Sequence, residues 1–265
     1  IHLGHIYHLL VLLSLSKKLD LTLLLRIEDH DKQRFKQEYL ESLFADLKFL
    51  GIQYKEPALF QSRSKKYYDN CLNFLIRKEF VYGCECSRSE IMNNQYSNKN
   101  ELHYSGKCRN KNLPLDGNTI RFRVENKDIQ FNDSILGHQI QNPFLQCGDF
   151  SIRDKLGNYT YQFACVCDDI RQKITHVIRG KDILQSTARQ ILLYRAFESP
   201  PPNFYHHRLL YDENGNKLCK RDKSESISKM IKNGYSLEEI FAKALNLKKP
   251  ISLLQACNYM LKGIM

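Results

Sequence analysis

Residues 21–27 read Leu21-Thr22-Leu23-Leu24-Leu25-Arg26-Ile27, a short and almost uninterrupted apolar run. Such a run is typical of a strand buried on both faces of a parallel sheet. Ahead of it, apolar residues recur at helical spacing from Ile6 to Leu13, and two lysines at 17–18 suit the C-terminal end of a helix. A helix followed at once by a buried strand begins the alternation that defines an α/β fold.

The same alternation continues along the chain. Further helices are predicted at residues 36–50, 64–79 and 183–197, and further strands at 119–124, 159–166, 174–178 and 204–210. We therefore expect an α/β fold with a doubly wound parallel sheet. Beyond three consecutive prolines at 200–202, three short helices are predicted at 224–232, 236–245 and 252–261, each entered at a serine cap.

Composition limits the class of protein. The chain has 265 residues, of which 42% are hydrophobic and 26% charged, as in a globular protein with a substantial core. Its net charge of +11 favours a polyanionic partner or an anionic surface, although a merely basic soluble protein fits the charge equally well. No apolar stretch reaches the roughly 18 uncharged residues of a membrane span, so we expect no membrane association.

Nine cysteines, an odd number, are scattered along the chain. The apolar run at residues 6–15 lacks the preceding basic segment and following cleavage site of a signal peptide. We therefore expect reduced thiols and a cytoplasmic location, in which a tight cysteine cluster indicates a metal before a disulfide.

Two short segments contain the candidate catalytic groups. His2-Leu3-Gly4-His5 opens the first helix, where two imidazoles face one way and glycine lets a ligand approach the backbone. Lys217-Leu218-Cys219-Lys220-Arg221 follows a predicted strand and turn, and three cations in five residues can clamp phosphates. Taken separately, each segment is also compatible with ordinary surface residues.

Together the two segments resemble the HIGH and KMSKS signatures of class I aminoacyl-tRNA synthetases. Three more stretches are similar to segments of glutamyl-tRNA synthetases. These are Arg26-Ile27-Glu28-Asp29-His30-Asp31 with Arg34, Tyr161-Gln162-Phe163-Ala164 with Asp168-Asp169, and Val177-Ile178-Arg179-Gly180-Lys181-Asp182 with Thr187 and Gln190. The resemblance extends over nearly the whole chain and implies a Rossmann-like catalytic core.

The resemblance implies roles for particular residues. It places Glu28, Tyr161 and Arg179 around a glutamate substrate, and a guanidinium is the natural bidentate partner of a carboxylate. The alternatives are an ion pair of Glu28 with Arg26 or Arg34 and a purely structural Tyr161. The ATP-binding and catalytic residues it implies are His2, Gly4, His5, Lys217 and Lys220, acting on ATP with Mg²⁺. Cys219 replaces the usual serine or threonine and is a weaker hydrogen-bond donor.

Cys84-Glu85-Cys86 and the later Tyr104 and Cys108 form a second constellation. Three thiols and a phenol in an inserted module offer four ligands for a metal, whereas three free thiols are the alternative. The pattern resembles the zinc site of glutamyl-Q tRNA(Asp) synthetases, in which tyrosine is the fourth ligand. The resemblance therefore implies a structural Zn²⁺ bound by Cys84, Cys86, Tyr104 and Cys108.

These elements suggest a division of the chain. We expect the first half of the catalytic core at 1–83, a zinc-binding insertion at 84–118, a connective module with the second half of the core at 119–223, and a helical region at 224–265. Since only 44 residues follow residue 221 of 265, we expect no anticodon-binding domain. Relatives also begin with a strand and an R-F-A-P-S-P-T-G loop before HxGH, so we expect the glutamate pocket of this chain to be incomplete.

The short form resembles glutamyl-Q tRNA(Asp) synthetases, which activate glutamate without tRNA and transfer it to queuosine at the wobble position of tRNA(Asp). The resemblance implies tRNA(Asp) carrying queuosine, glutamate and ATP as partners, and we expect a monomer. Two alternatives stay open: a truncated glutamyl-tRNA synthetase, and an inactive RNA-binding paralogue.

Overall fold

The computed structural model describes residues 1–29, 36–93, 102–211 and 226–264. Helices and strands alternate through this part of the chain. The helices are α1 (Leu3–Leu19), α2 (Gln37–Phe49), α3 (Lys65–Arg77), α4 (Arg88–Asn93), α5 (Pro143–Cys147), α6 (Tyr161–Gln172), α7 (Thr187–Ala196), α8 (Ile227–Lys232), α9 (Leu237–Ala244) and α10 (Leu253–Ile264). The strands are β1 (Leu24–Ile27), β2 (Lys55–Phe60), β3 (Val81–Cys84), β4 (Thr119–Phe122), β5 (Ile129–Asp133), β6 (Gly137–Gln141), β7 (Ser151–Arg153), β8 (His176–Gly180) and β9 (Asn203–His207).

Parallel pairing confirms the α/β prediction. Strand β1 pairs with β2, and β9 lies between β8 and β5, all in parallel. The connections between the paired strands contain α2 in one case and a helical turn (Lys181–Ser186) followed by α7 in the other. Crossover helices of this kind are what parallel neighbours require.

The predicted sheet is not continuous within the described residues. The predicted strand at 119–124 is β4, which lies in an antiparallel sheet of order β3-β4-β7 and not in a parallel one. Strands β5 and β6 form an antiparallel hairpin because three residues join them, too few for a crossover. The doubly wound sheet of the prediction is therefore replaced by two parallel groups and an antiparallel module.

The predicted strand at 159–166 is wrong, because these residues enter helix α6 at Tyr161. Seven consecutive residues, 163–169, are buried, so the helix is enclosed on all sides over two turns. A helix buried around its circumference has the same uninterrupted apolar run as a central strand, and periodicity cannot separate the two.

The other predicted helices are confirmed within one to three residues, except that the one at 183–197 begins as a 3₁₀ turn ahead of α7. Each C-terminal helix has a serine cap, although α8 is entered at Ser226 and the predicted helix began at residue 224. The side chains of Ser226, Ser236 and Ser252 accept hydrogen bonds from backbone N–H groups three residues later, at 3.3, 3.2 and 3.4 Å. Such bonds satisfy N–H groups that a helix start leaves without partners.

Two hydrophobic cores position the site. One joins α3, α6 and α7 to the strands β3, β4, β7 and β9 through side chains such as Tyr68, Phe163 and Ile191. The other packs α1 against the C-terminal helices α8, α9 and α10, with Leu10 and Val11 on the side of α1 and Ile240 opposite. Helix α1, which opens with the HxGH segment, is therefore fixed by the C-terminal region.

Two expectations concern the environment of the protein. Within the described ranges, no helix combines the length and the apolar character needed to cross a lipid bilayer. The eight cysteines that the structure describes are all free. The described part of the fold therefore contains no disulfide.

Candidate active site

Two histidines cap the start of α1. Nδ1 of His2 accepts a hydrogen bond from the backbone N–H of Gly4 at 3.1 Å, and Nδ1 of His5 accepts one from the backbone N–H of His2 at 3.2 Å. A neutral imidazole that accepts at Nδ1 carries its proton on Nε2. Each ring therefore presents an Nε2–H donor beside a helix N-terminus, where the backbone dipoles favour anions.

A cavity of about 390 Å³ lies between the start of α1 and the carboxyl ends of β8 and β9. At Gly180, the last residue of β8, an added Cβ would lie 2.5 Å from Oδ1 of Asp182 and 2.9 Å from Leu209. A larger residue at this position would therefore force both side chains to shift, whereas glycine lets them pack closely against the strand end. Cavities at the carboxyl ends of parallel strands are the usual ligand sites of α/β folds.

A pair of neutral histidines forms part of the cavity wall. Nδ1 of His207 donates to the carbonyl oxygen of Arg208 at 2.7 Å, so its Nε2 is left to accept from Nδ1 of His8, 3.0 Å away. Burial, followed by the interaction with His207, lowers the pKa of His8 to about 4. Burial likewise lowers the pKa of His207. Both rings are therefore uncharged near neutral pH.

Arg179 also lines this cavity, and it is 7% exposed. Its Nε donates to Nε2 of His206 at 2.9 Å, its Nη1 to Oε1 of Gln190 at 2.7 Å, and its Nη2 to Oγ1 of Thr187 at 2.9 Å. All three acceptors are neutral, and within the described part of the chain Arg179 forms no ion pair. Its buried positive charge therefore has no direct carboxylate partner in this part of the protein.

The three residues predicted to surround a glutamate influence one another. Tyr161 is the first residue of α6, and burial, together with interactions with Cys165 and Glu28, raises its pKa, while Arg179 opposes this shift. Burial and the charge of Asp169 raise the pKa of Cys165 to about 12, again with contributions from Glu28 and Arg179. The structure thus brings Glu28, Tyr161 and Arg179 into one electrostatic environment.

Arg26, one of the two alternative partners of Glu28, is occupied elsewhere. Its Nη2 donates to Oδ1 of Asp169 at 2.6 Å and to Oε1 of Gln172 at 2.9 Å, and its Nε lies 3.7 Å from Asp168. The other alternative, Arg34, lies outside the described residues. Arg26 therefore joins β1 to α6 in the protein interior.

A second cavity, of about 650 Å³, is lined in part by Tyr161. Arg88, Arg121 and Arg189 line it, and the guanidinium of Arg121 stacks 3.8 Å from the ring centre of Tyr104. Arg121 is 7% exposed, and its buried Nε has no hydrogen-bond partner among the described atoms. With three arginines and Asp154 in its lining, the cavity is therefore predominantly cationic.

The cysteine constellation is assembled as the sequence predicted. The sulfur atoms of Cys84, Cys86 and Cys108 all lie within 4.8 Å of one another and are buried. Oη of Tyr104 lies 3.3 Å from Sγ of Cys84, and Sγ of Cys86 lies 3.5 Å from that of Cys108. Tetrahedral ligands at the Zn–S length of about 2.3 Å stand about 3.8 Å apart, so these four side chains fit a zinc ion.

The structure does not describe all of the predicted site residues, and it shows two buried residues near the site that the sequence did not indicate. Lys217, Cys219 and Lys220 lie outside the described residues. Sequence reasoning missed Asp133 and His206, both completely buried, whose side chains meet at 2.6 Å. No motif indicated Asp133, because its partner lies 73 residues further along the chain.

The chain is similar in sequence to a known family of proteins. Residues 1–248 match the family model of the class I tRNA synthetases for E and Q, catalytic domain. A glutamate–tRNA ligase of Buchnera aphidicola subsp. Cinara cedri is 34% identical over 93% of this chain and 54% of its own length. A glutamyl-Q tRNA(Asp) synthetase of Yersinia pseudotuberculosis is 35% identical over 75% of this chain and 58% of its own length.

Solved structures show the same fold. A glutamate tRNA ligase of Elizabethkingia meningosepticum, crystallised with its amino acid, superposes with a TM-score of 0.81 at 25% identity and covers 97% of this chain. The chain covers 61% of that structure and spans little more than half the length of the curated relatives. The family match and the agreement in fold show that the chain belongs to the class I tRNA synthetases for glutamate and glutamine, of which it contains the catalytic domain.

Proposed function

We propose that the protein activates glutamate with ATP, without tRNA, and transfers the glutamyl group to the queuosine base at the wobble position of tRNA(Asp). The observation that supports glutamate most strongly is Arg179, a buried guanidinium with neutral partners only. A buried charge of this kind is costly unless a ligand compensates it. Glutamate supplies a carboxylate for Arg179 and an ammonium group for Glu28.

In the proposed activation step, an oxygen of the glutamate α-carboxylate attacks the α-phosphorus of ATP. A C–O–P bond forms, the bond from the α-phosphorus to the bridging oxygen breaks, and pyrophosphate leaves with Mg²⁺. The Nε2–H groups of His2 and His5 donate to phosphate oxygens, and Gly4 lets the nucleotide approach the backbone. Lys217 and Lys220 neutralise the charge that develops on the pyrophosphate. The protein thus acts mainly by positioning and electrostatic stabilisation.

The second cavity is proposed to receive the base that accepts the glutamyl group. It adjoins Tyr161, so an acceptor in it lies beside the activated amino acid. Arg88, Arg121 and Arg189 provide donors for phosphate or base oxygens, and the net charge of +11 supplies salt-dependent attraction to RNA. The relatives named glutamyl-Q tRNA(Asp) synthetases, 35% identical over up to 77% of this chain, favour queuosine as that base.

A second candidate acceptor is the 3′ end of tRNA(Glu). The glutamate–tRNA ligase of the Buchnera strain matches a larger share of this chain, 93%, than the glutamyl-Q relatives do. Such a protein would form the catalytic part of a glutamyl-tRNA synthetase. The two candidates share the chemistry of the activation step, but they differ in whether that step needs tRNA and in the RNA that accepts the product.

One assay separates these functions. The natural protein, with any residues that precede Ile1 or follow Met265, is supplied with ATP and labelled glutamate. Our proposal predicts ATP–pyrophosphate exchange without RNA and transfer to queuosine-containing tRNA(Asp). Exchange only with tRNA(Glu), and charging of its 3′ end, would identify the second candidate. Absence of exchange under all conditions would identify an inactive paralogue.

We also propose that Cys84, Cys86, Tyr104 and Cys108 hold a structural zinc ion. Protein purified without chelators should contain about one zinc per chain, as a closed four-ligand site predicts. Cys86→Ser should lose most of this metal. Cys147→Ser is the matched control, since Cys147 is equally buried but donates to backbone carbonyl groups. Equal zinc in both variants would contradict the assignment.

A further inference from the structure

We propose that Asp133 and His206 are positioning residues that set the orientation of the Arg179 guanidinium. The inference rests on the proposed function, in which Arg179 binds a carboxylate of glutamate. Asp133 ends β5, His206 lies in β9, and Arg179 lies in the neighbouring strand β8. A chain of side chains thus runs across three adjacent parallel strands towards the cavity.

The first link is the anchoring of Asp133. One of its oxygens accepts from the backbone N–H groups of Ile135 and Leu136, at 3.0 and 2.8 Å. The other accepts from Nδ1 of His206 at 2.6 Å and from the backbone N–H of the same residue at 3.2 Å. Both side chains are completely buried. Asp133 is therefore immobile, and it fixes both the ring and the backbone of His206.

The second link is the tautomer of His206. Because the Nδ1–H group donates a hydrogen bond to the carboxylate, the neutral ring has its lone pair on Nε2. That atom accepts from Nε of Arg179 at 2.9 Å and lies 3.2 Å from the hydroxyl of Thr187. With the other tautomer, the Nε2–H of His206 would face the Nε–H of Arg179 and no hydrogen bond could form. Asp133 therefore selects the form of His206 that can bind Arg179.

The consequence concerns the donors of Arg179. A guanidinium has five N–H groups. His206, Gln190 and Thr187 each take one, from Nε, Nη1 and Nη2 respectively. One N–H on each terminal nitrogen is left for a substrate carboxylate. Since the Nε bond fixes the rotation of the group, His206 determines where these two donors point.

Two substitutions of His206 separate positioning from packing. His206→Asn keeps an amide donor near the position of Nδ1 but removes the acceptor at Nε2. His206→Gln places an amide oxygen near the position of Nε2 and restores that acceptor. We expect His206→Asn to raise the KM for glutamate about tenfold or more, with less than about a twofold change in the KM for ATP. In His206→Gln the KM for glutamate should return to within about threefold of the parent value.

A second readout does not depend on catalysis. The ¹⁵N–¹H resonance of the Arg179 Nε group should exchange slowly with solvent in the parent and in His206→Gln, and faster in His206→Asn. An unchanged resonance in His206→Asn would overturn the positioning role, whatever the activity. Equal rises in both KM values would also overturn it, because general loss of structure acts on both substrates.

The same measurements distinguish failure of the proposed function from failure of the positioning role. A parent protein without glutamate-dependent exchange, in which His206→Asn still frees the Arg179 resonance, would refute the proposed function and keep the positioning chain. If His206→Asn does not fold, Asp133→Asn takes its place. It removes the charge that selects the tautomer and should also raise the KM for glutamate and speed exchange of the Arg179 Nε–H. Unchanged KM and exchange in a folded Asp133→Asn would overturn the inference.

Discussion

Arg26 and Arg179 are two largely buried arginines, and both belong to segments that resemble the same family. Arg26 contacts Asp169 at 2.6 Å and Asp168 at 3.7 Å, and these carboxylates raise its pKa although burial alone would lower it. Arg179 contacts a histidine, an amide and a hydroxyl. The first charge is neutralised by the protein, whereas the second is held in place and left for a ligand. The partners of a buried arginine, and not the motif in which it lies, therefore distinguish a structural residue from a binding residue.

The largest expected loss of stability follows from substitution of Arg26, the arginine that forms ion pairs. Arg26→Met keeps most of the side-chain volume but leaves Asp169 buried without its cation. Removing one partner of a buried pair costs about 3–5 kcal/mol, so the free energy of unfolding should fall by that amount. Urea denaturation at neutral pH measures it. A change below about 1 kcal/mol would show that the Arg26 cluster does not stabilise the fold.

Arg179→Met is the same substitution at the arginine that forms no ion pair. It leaves three buried acceptors, on His206, Gln190 and Thr187, without their donor, but no buried carboxylate loses a directly paired cation. We therefore expect the free energy of unfolding to fall by about 1–3 kcal/mol, less than for Arg26→Met. Glutamate activation should fall about 100-fold or more, because a charge-assisted bidentate contact is lost. ATP–pyrophosphate exchange and urea denaturation of the same preparation test both parts. Destabilisation equal to that of Arg26→Met would abolish the distinction.

His8 adds a buried group that is kept neutral. Its pKa is about 4 in the folded protein and 6.5 ordinarily, so between these values the unfolded chain binds a proton that the folded protein does not. The contribution of His8 to stability should therefore decline as pH falls from about 6.5 to about 4, and level off below. In His8→Asn, which keeps a donor towards His207, the decline should be shallower. Parallel urea titrations across this range measure the difference, and identical slopes would contradict it.

The smallest change in stability is expected for an ion pair on the protein surface. Lys127 and Glu125 approach to 2.6 Å, the same distance as Arg26 and Asp169, but their side chains are 76% and 69% exposed. Solvent screens such a pair. Lys127→Gln should leave the urea midpoint unchanged within error. A clear shift would mean that distance alone, without burial, governs these pairs.

Local signals could be predicted from the sequence. The serine caps of the last three helices and the histidine cap of α1 depend on residues two or three positions apart. The closeness of the three cysteines was also predictable, because two of them are two positions apart and the resemblance to a known zinc site added Cys108. Helix α6 was predicted as a strand because its burial extends around the whole helix.

Long-range contacts could not be predicted in this way. The roles of Arg26 and Arg179 depend on partners up to 146 residues away, and Asp133 acts on a histidine 73 residues further along the chain. Residue types in a motif do not encode which carboxylate reaches which guanidinium. Only the packing of α6, β8 and β9 decides that, and it follows from the fold as a whole.

A crystal structure of the natural protein with L-glutamate would show whether Arg179 binds a carboxylate of this substrate. We predict that a carboxylate of glutamate lies within hydrogen-bond distance, about 3 Å, of Nη1 and Nη2 of Arg179, beside Tyr161 and Glu28. His206, Gln190 and Thr187 should keep their contacts with Arg179. Glutamate bound elsewhere, with Arg179 still contacting only these three protein groups, would contradict the account.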